Sequence, residues 1–518
     1  MLALPPPPPA SDSACDALGM PARAFSPGPY GSGRGELAGD FTVHTTSGDF
    51  HLRDAWTGCD VYLFVPDETP FTAGWPIGLW ERDVGALLAD SPRNVHYFFY
   101  STQPTLAGRA AALNALAGQI FGSVLPTFTK EDIAWWTPRL HLVDQSPAEM
   151  GGWLASALPD PGVGLGVDRF QRIRHFGSLS DPTRYSAAAG WFASNLAYVA
   201  HEAQYYDFEA ARAGALAAEG GVAEVTLFDG ELLQGDVYAD VLLPEALGWG
   251  AFDTLELDLT LGCDGAVEPD ACGPWDYIVH LDLCDEADPT VCDVELGRWI
   301  TTYAREGRWV IDASPLLALL GPGPRRFRFS TGQGYLTTLA LRLDHRGRGG
   351  TPSEATFLWA GGALDAGYAA AHPPLTVPIP ADALRVELYA VISGHGWGAE
   401  VANCAEFCDH EHHFTVNGME WVKDNPLAGT NEGCANRVSE GVVPNQFGTW
   451  FFGRGGWCPG LEVAPWVVDV TDAVVPGEDA LLTYTALVDG EVYVPEPTGS
   501  GQGFGANIDL VSWLVVWR

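Results

Sequence analysis

From Val222 to its end the chain gives a helix almost nothing to build on. Apolar residues stop recurring every three or four positions. They alternate instead over short runs: Val225 to Phe228, Thr254 to Leu259, Tyr277 to Leu283, Arg325 to Ser330, Leu339 to Leu343, Arg385 to Val391, His412 to Val416, Trp466 to Val470 and Leu510 to Trp517. Turn-forming residues separate these runs. Alternation with a period of two puts one face of a strand in a core, so many such strands at short spacing predict antiparallel sandwiches.

The first 215 residues read differently. Residues 1–30 are rich in Pro, Ser and Gly and predict a flexible or polyproline leader. Gly31-Ser32-Gly33-Arg34-Gly35 follows no strand and reads as linker, not as a phosphate cradle. Over 31–215, strands and helices alternate. A hairpin forms around Ser47-Gly48, and buried strands run over Val61 to Val65, Val95 to Tyr100 and Leu140 to Val143. A helix covers Leu106 to Phe121, Gly164 to Val167 pairs with Ile173 to Phe176, and a long helix runs from Ala187 to Ala211. With the opening Ala38-Gly39-Asp40-Phe41, this order resembles a thioredoxin-like or peroxiredoxin-like fold. Such folds carry their reactive Cys just after the first central strand, here Pro66 to Trp75, where no Cys stands. The resemblance therefore implies a redox-inert domain, structural or an accessory for binding.

Charge and cysteines narrow the function classes. At 518 residues the chain has room for three domains, and 47% hydrophobic content implies large cores. A formal net charge of -39 argues against nucleic acid and anionic membranes as partners. No apolar run is long enough to span a bilayer. Met1-Leu2-Ala3-Leu4 and the five prolines after it show no signal-peptide pattern. The cysteine count is even, at ten. Eight of them fall into close pairs at turns: Cys263 with Cys272, Cys284 with Cys292, Cys404 with Cys408, and Cys434 with Cys458. Cys15 and Cys59 are a further candidate pair. No Cys-x-x-Cys knuckle is present, so disulfides and an oxidising compartment are favoured over zinc. A secreted, periplasmic or cell-surface protein, monomeric, is the expectation.

Asn403-Cys404-Ala405-Glu406-Phe407-Cys408 holds one carboxylate at the tip of a small ring, preceded by Ser393-Gly394-His395-Gly396-Trp397. Read alone, this is either a surface staple with a solvated Glu or a rigid mount for acid–base work. Upstream stands Cys272-Gly273-Pro274-Trp275-Asp276, and downstream Arg454-Gly455-Gly456-Trp457-Cys458-Pro459-Gly460. These motifs, in this order, resemble the peptide-N-glycosidase F family over roughly Val222 to Arg518. The resemblance implies two adjacent eight-stranded jelly rolls with a cleft at their interface, at 222–350 and 351–518. It also implies hydrolysis of the amide that joins an asparagine side chain to N-acetylglucosamine. N-glycosylated proteins or glycopeptides would be the substrates, and no cofactor is required.

On that resemblance Asp276 is the primary carboxylate, activating water, and Glu406 orients or polarises the substrate. Trp275, Tyr277, Gln333, His395, Trp397, Arg454 and Trp457 fall at positions that face substrate. Each also has a plain reading: Asp276 as a turn cap, Trp457 packed over a disulfide, Arg454 exposed. The sequence departs from the family where a third carboxylate is expected, in Ser330-Thr331-Gly332-Gln333-Gly334. Glutamine can hydrogen-bond there but cannot ionise. Gln333→Glu is then expected to raise turnover if that gap limits the reaction.

Two rival classes stay open: a lectin-like protein that binds glycans without cleaving them, and a jelly-roll metalloenzyme. For the second, His410 and His412 share one strand face in Asp409-His410-Glu411-His412-His413, and His395 is a third ligand. His201-Glu202-Ala203-Gln204-Tyr205 misses the metalloprotease pattern.

Overall fold

The computed structural model describes residues 13–68, 78–81, 83–158, 164–176, 196–264, 272–446 and 448–518. The chain forms two compact units. One holds the residues up to Ala217 together with Val438–Thr449, and the other holds most of the remainder.

The first unit is built on a seven-stranded sheet in the order Gly48–His51, Thr42–Thr45, Leu140–Val143, Val95–Tyr100, Val61–Pro66, Gly164–Val167, Ile173–Phe176. Its three central strands are parallel. Their uninterrupted runs, such as Val-Tyr-Leu-Phe-Val, suit strands covered on both faces. Gly164–Val167 joins antiparallel on one side and Thr42–Thr45 on the other. The long helix runs over Val199–Ala218. It was expected to begin at Ala187, a position outside the described residues.

The expected flexible leader is corrected from residue 15 onward. Cys15 is bonded to Cys59, Phe25 packs on the core beside Trp56, and Ser26 N donates to Gln171 Oε1. Aromatic burial and one covalent tie outweigh the Pro- and Gly-rich composition. Unit membership is not linear in sequence either. Asn445, far past the boundary near Gly350, donates from Nδ2 to Tyr198 O at 2.9 Å and to Glu202 Oε1 at 3.0 Å.

In the second unit the named strands all pair antiparallel. Its seven-stranded sheet contains Ala223–Leu243, Thr254–Gly262, Ile278–Leu283, Val294–Ile300, Gly307–Asp312, Gly323–Asp344 and Leu461–Glu462. Arg325 to Ser330 and Leu339 to Leu343, read as two strands, are one strand, Gly323–Asp344. It pairs along its length with Ala223–Leu243 and shifts register between Thr331 and Tyr335. Two four-stranded sheets follow, each formed from residues after Gly350. Their facing side chains, among them Leu388, Ile392, Leu510 and Leu514 from one and Phe414, Leu482 and Tyr484 from the other, make one core. The first sheet departs from the eight-stranded expectation, since among the described residues it has seven strands, one from beyond Gly350.

Cys284–Cys292, Cys404–Cys408 and Cys434–Cys458 are disulfides, and among the described residues no cysteine is free. Among the described residues no helix is long and apolar enough to cross a membrane.

Candidate active site

Trp275 and Asp276 lie just before the strand Ile278–Leu283. Their backbone is held by side chains. Gln333 Oε1 accepts from Trp275 N at 2.9 Å, and Gln333 Nε2 donates to Trp275 O at 2.5 Å. Thr301 Oγ1 donates to the same carbonyl at 2.6 Å and accepts from Tyr277 N at 2.8 Å. Gly273 is required for this closeness, because a Cβ there would meet Gln333 Oε1 at 2.4 Å. With the turn pinned, Asp276 Oδ2 accepts from the Tyr303 hydroxyl at 2.6 Å. Burial pushes the Asp276 carboxyl above its ordinary range, and Arg454 and Tyr303 oppose that shift.

Glu406 is held by other means. Cys404–Phe407 is one helical turn closed by the Cys404–Cys408 bridge. Asn403 enters it at φ 51°, a left-handed conformation that Asn tolerates, and Glu400 Oε1 accepts from Cys404 N at 2.9 Å. Neighbouring backbones press against the loop. Gly455 N donates to Glu406 O at 2.7 Å, and Gly394 N donates to Gly455 O at 2.7 Å. A Cβ on Gly394 would sit 1.8 Å from the Ala405 carbonyl oxygen, so no other residue fits.

The Glu406 carboxylate has Arg454 Nε 3.4 Å from Oε1 and Gly396 N 3.4 Å from Oε2. Arg454 is itself buried. Its guanidinium lies 5.1 Å from the Phe407 ring centre and 5.3 Å from that of Trp457, and Nη1 donates to Phe452 O. Burial pushes the Glu406 carboxyl up to about 7; Arg454 opposes the shift and the charge of Asp276 adds to it. Desolvation wins here because one cation, already shared, cannot replace lost water. Two carboxylates from opposite sides of Gly350 thus lie in one electrostatic field around one buried Arg.

Arg298, missed in the sequence, joins the parts that carry them. It is fully buried in strand Val294–Ile300. Nη1 donates to Ser393 Oγ at 2.9 Å and Asp509 O at 2.7 Å, while Nη2 reaches Glu295 and Asp509 carboxylates at 2.8 and 2.9 Å. Tyr303 was missed too, since a lone Tyr after a strand carries no sequence signal.

Residues 366–515 match the family described as Peptide-N-glycosidase F, C terminal. No curated protein matches the sequence. Among solved structures, similarity is found to PNGase F, a glycosylasparaginase from Flavobacterium meningosepticum, at 16% identity and a TM-score of 0.45 over 57% of this chain and 96% of that one. A peptide-N(4)-(N-acetyl-beta-D-glucosaminyl) asparagine amidase gives 17%, 0.45, 57% and 96% in the same terms. PNGF-II gives 11%, 0.41, 66% and 71%.

Within and beside residues 366–515, the residues singled out from sequence divide into two groups. Asp276, Glu406 and Arg454 come together. Trp275, Tyr277 and Trp397 are exposed aromatics, at 56%, 45% and 58%. Trp275 adjoins Asp276, and Trp397 follows the glycine whose N–H points at Glu406. Phe504, opposite Trp397 in register and also exposed, was missed.

Two expectations are corrected. Gln333 faces no substrate, because both ends of its amide are spent on Trp275 and 7% of it is exposed. Trp457 is buried, its indole N–H donates to Gly394 O at 2.7 Å, and its ring stacks on His395. It supports the site and offers no open face. The metal set fails on geometry. His410 Nδ1 lies 2.7 Å from His412 Nε2, leaving no space for an ion between them, and His395 Nε2 is bonded to Ser393 Oγ at 2.8 Å. Burial lowers the His395 pKa to about 3, so its ring is neutral.

Proposed function

We propose that the protein is an amidohydrolase that removes N-linked glycans from glycoproteins or glycopeptides, leaving aspartate where asparagine stood. The observation that carries this reading is the pairing of Asp276 and Glu406 around Arg454, both carboxyls raised by burial, with a hydroxyl donor, Tyr303, on Asp276. Hydrolysis of an amide needs a base for the attacking water and a donor at the carbonyl oxygen or the leaving nitrogen. Two carboxyls in different environments divide that work. Asp276, ionised, takes a proton from water as the oxygen attacks the asparagine side-chain carbonyl carbon. Glu406, protonated up to about pH 7, donates to the amide as the C–N bond breaks and the glycosylamine leaves. Trp275, Tyr277 and Trp397 offer faces on which sugar rings can stack. The C-terminal domain family and the amide named for one solved relative support the choice of substrate.

The exposed aromatics equally fit a lectin-like protein, and one assay separates the two. Incubation with a denatured glycoprotein should release glycan and convert glycosylated Asn to Asp by peptide mass. Retention of glycopeptides without release leaves the lectin reading.

The N-terminal unit reads as a thioredoxin-like, redox-inert domain. Its support is the order Val95–Tyr100, Val61–Pro66, Gly164–Val167, Ile173–Phe176, the first two parallel and the rest antiparallel, with the one central cysteine, Cys59, tied up by Cys15. Five cysteine pairs suit an extracellular or periplasmic protein.

A further inference from the structure

His410 and His412 belong to no metal set, yet both are fully buried beneath the Glu406 loop. His410 Nδ1 lies 2.7 Å from His412 Nε2, His412 Nδ1 lies 2.8 Å from Tyr484 Oη, and Tyr484 Oη lies 2.9 Å from Tyr368 Oη. Asn425 fixes the direction of this chain. Its Oδ1 faces Lys423 Nζ at 3.2 Å, so its Nδ2 is the end that meets His410, donating to the carbonyl at 3.1 Å and to Nδ1 at 3.1 Å. His410 Nδ1 must therefore be bare, since a proton there would point at the Asn425 N–H donor, and His412 Nε2 at 2.7 Å then has to carry the proton between the rings. A neutral imidazole carries one proton, so His410 carries it on Nε2. The same logic propagates outward. His412 donates from Nε2, leaving its Nδ1 to accept from Tyr484, whose oxygen accepts from Tyr368.

All donors in the chain then point one way, and it ends at the His410 Nε2 proton. That nitrogen faces the backbone carbonyls of Ala405 and Gly455 without an aligned hydrogen bond to either. A buried donor left short of a partner is costly. Catalytic contacts that are long in a free enzyme tighten when substrate binds. Ala405 immediately precedes Glu406 and lies within its ring, so whatever fixes the Ala405 carbonyl fixes the direction of the Glu406 side chain.

We propose that His410 is a positioning residue, which holds the Ala405 carbonyl through Nε2–H at the end of a one-way hydrogen-bond chain from Tyr368 and so aims the Glu406 carboxyl. The role rests on the amidase reading. Nitrogen-15 NMR of the histidine rings, in the whole protein without substrate, should find His410 and His412 both as Nε2–H tautomers. An Nδ1–H tautomer at either residue overturns the chain. In glycopeptide hydrolysis, His410→Leu should lower kcat about 10- to 100-fold with KM little changed, the cost of a misaimed group. His410→Gln, whose amide N–H reaches nearly where Nε2–H does, should recover most of that loss. A merely structural histidine would lose folded protein and not kcat per folded molecule. Tyr484→Phe, which removes a hydroxyl and no ring, keeps the test open if His410→Leu does not fold, and should lower kcat several-fold. Wild-type kcat in folded His410→Leu or in Tyr484→Phe overturns the positioning role alone. Failure of the wild-type protein to release glycan overturns the amidase reading and the role with it.

Discussion

The turn that carries Asp276 and the loop that carries Glu406 solve one problem, a desolvated carboxyl held still, by opposite means. Asp276 rests on side chains: Gln333 and Thr301 grip the backbone, and Tyr303 grips the carboxylate. Glu406 rests on backbone and covalent bonds: a four-residue disulfide step, a left-handed Asn403 and glycines too tightly packed to carry a side chain. The first carboxylate receives a strong neutral donor at 2.6 Å. Among the described residues the second receives contacts at 3.4 Å, and it is driven to about 7. A donor aimed at a carboxylate opposes the upward push of burial; support through the main chain leaves that push less opposed.

That contrast breaks most sharply at the two carboxyls themselves. Asp276→Asn should keep the fold and glycan binding yet lower release by ~10³-fold or more, because an amide cannot take a proton from water. Glu406→Gln keeps a hydrogen-bond donor but no transferable proton, and should cost less, ~10²-fold in kcat. Single-turnover release beside binding of an uncleaved glycopeptide measures both. Equal losses would mean that the two carboxyls do not divide the work.

The pH profile sharpens the same point. Release should fall on the acid side as Asp276, raised by burial, takes up a proton. It should fall on the alkaline side as Glu406 ionises, near 7. Glu406→Gln should abolish the alkaline limb and keep the acid one. The sign for stability follows from linkage. A folded pKa above the unfolded value of 4.5 stabilises the protein below that value, and the gain disappears as pH rises through about 7. The melting temperature of Glu406→Gln relative to wild type should therefore climb across that window; a flat difference would place the Glu406 pKa in the ordinary range.

How much of this could be read in the sequence follows from the range of the forces involved. Glu406 in its ring, Asp276 after Trp275, and the alternating strands were legible because local spacing encodes them. Gln333 was misread because its partner, the backbone of Trp275, lies 58 residues away in sequence, and an unionisable residue at a carboxylate position looked like a deletion in the site. Trp457 was misread because one aromatic can stack on sugar or fill a core, and only its neighbours His395 and Gly394 decide which. Arg298 and Tyr303 carry no motif; their meaning is entirely in the long-range contacts they make. The leader misled in the other direction, since Pro and Gly hid the packing of Phe25 and the bond from Cys15.

Gln333→Glu tests the side-chain-held region directly, and the structure reverses the expectation that a carboxylate there would raise turnover. Gln333 Nε2 donates to the Trp275 carbonyl. An ionised glutamate would set oxygen against oxygen, and the lost bond with its unpaired buried acceptor costs ~1–3 kcal/mol. Release should drop and the melting temperature fall together. Raised turnover would mean that the turn tolerates the change and that the missing carboxylate had limited the rate.

The smallest effect on stability should come from the bond that most defines the other region. The chain-entropy argument gives ~2 kcal/mol for a ring the size of Cys404–Cys408 and ~3.5 kcal/mol for one the size of Cys434–Cys458, their sequence separations being 4 and 24. If the small ring exists to aim Glu406, the ranking must invert for activity. Replacing both Cys404 and Cys408 by Ser should cost less in denaturant midpoint than the same change at Cys434 and Cys458, but more in kcat per folded molecule. Misplacement of a catalytic group by about 1 Å costs up to ~100-fold, whereas the longer bridge lies beside Trp457, whose indole is independently held by Gly394. Activity that falls in step with stability at both bridges would reduce the Glu406 ring to a staple.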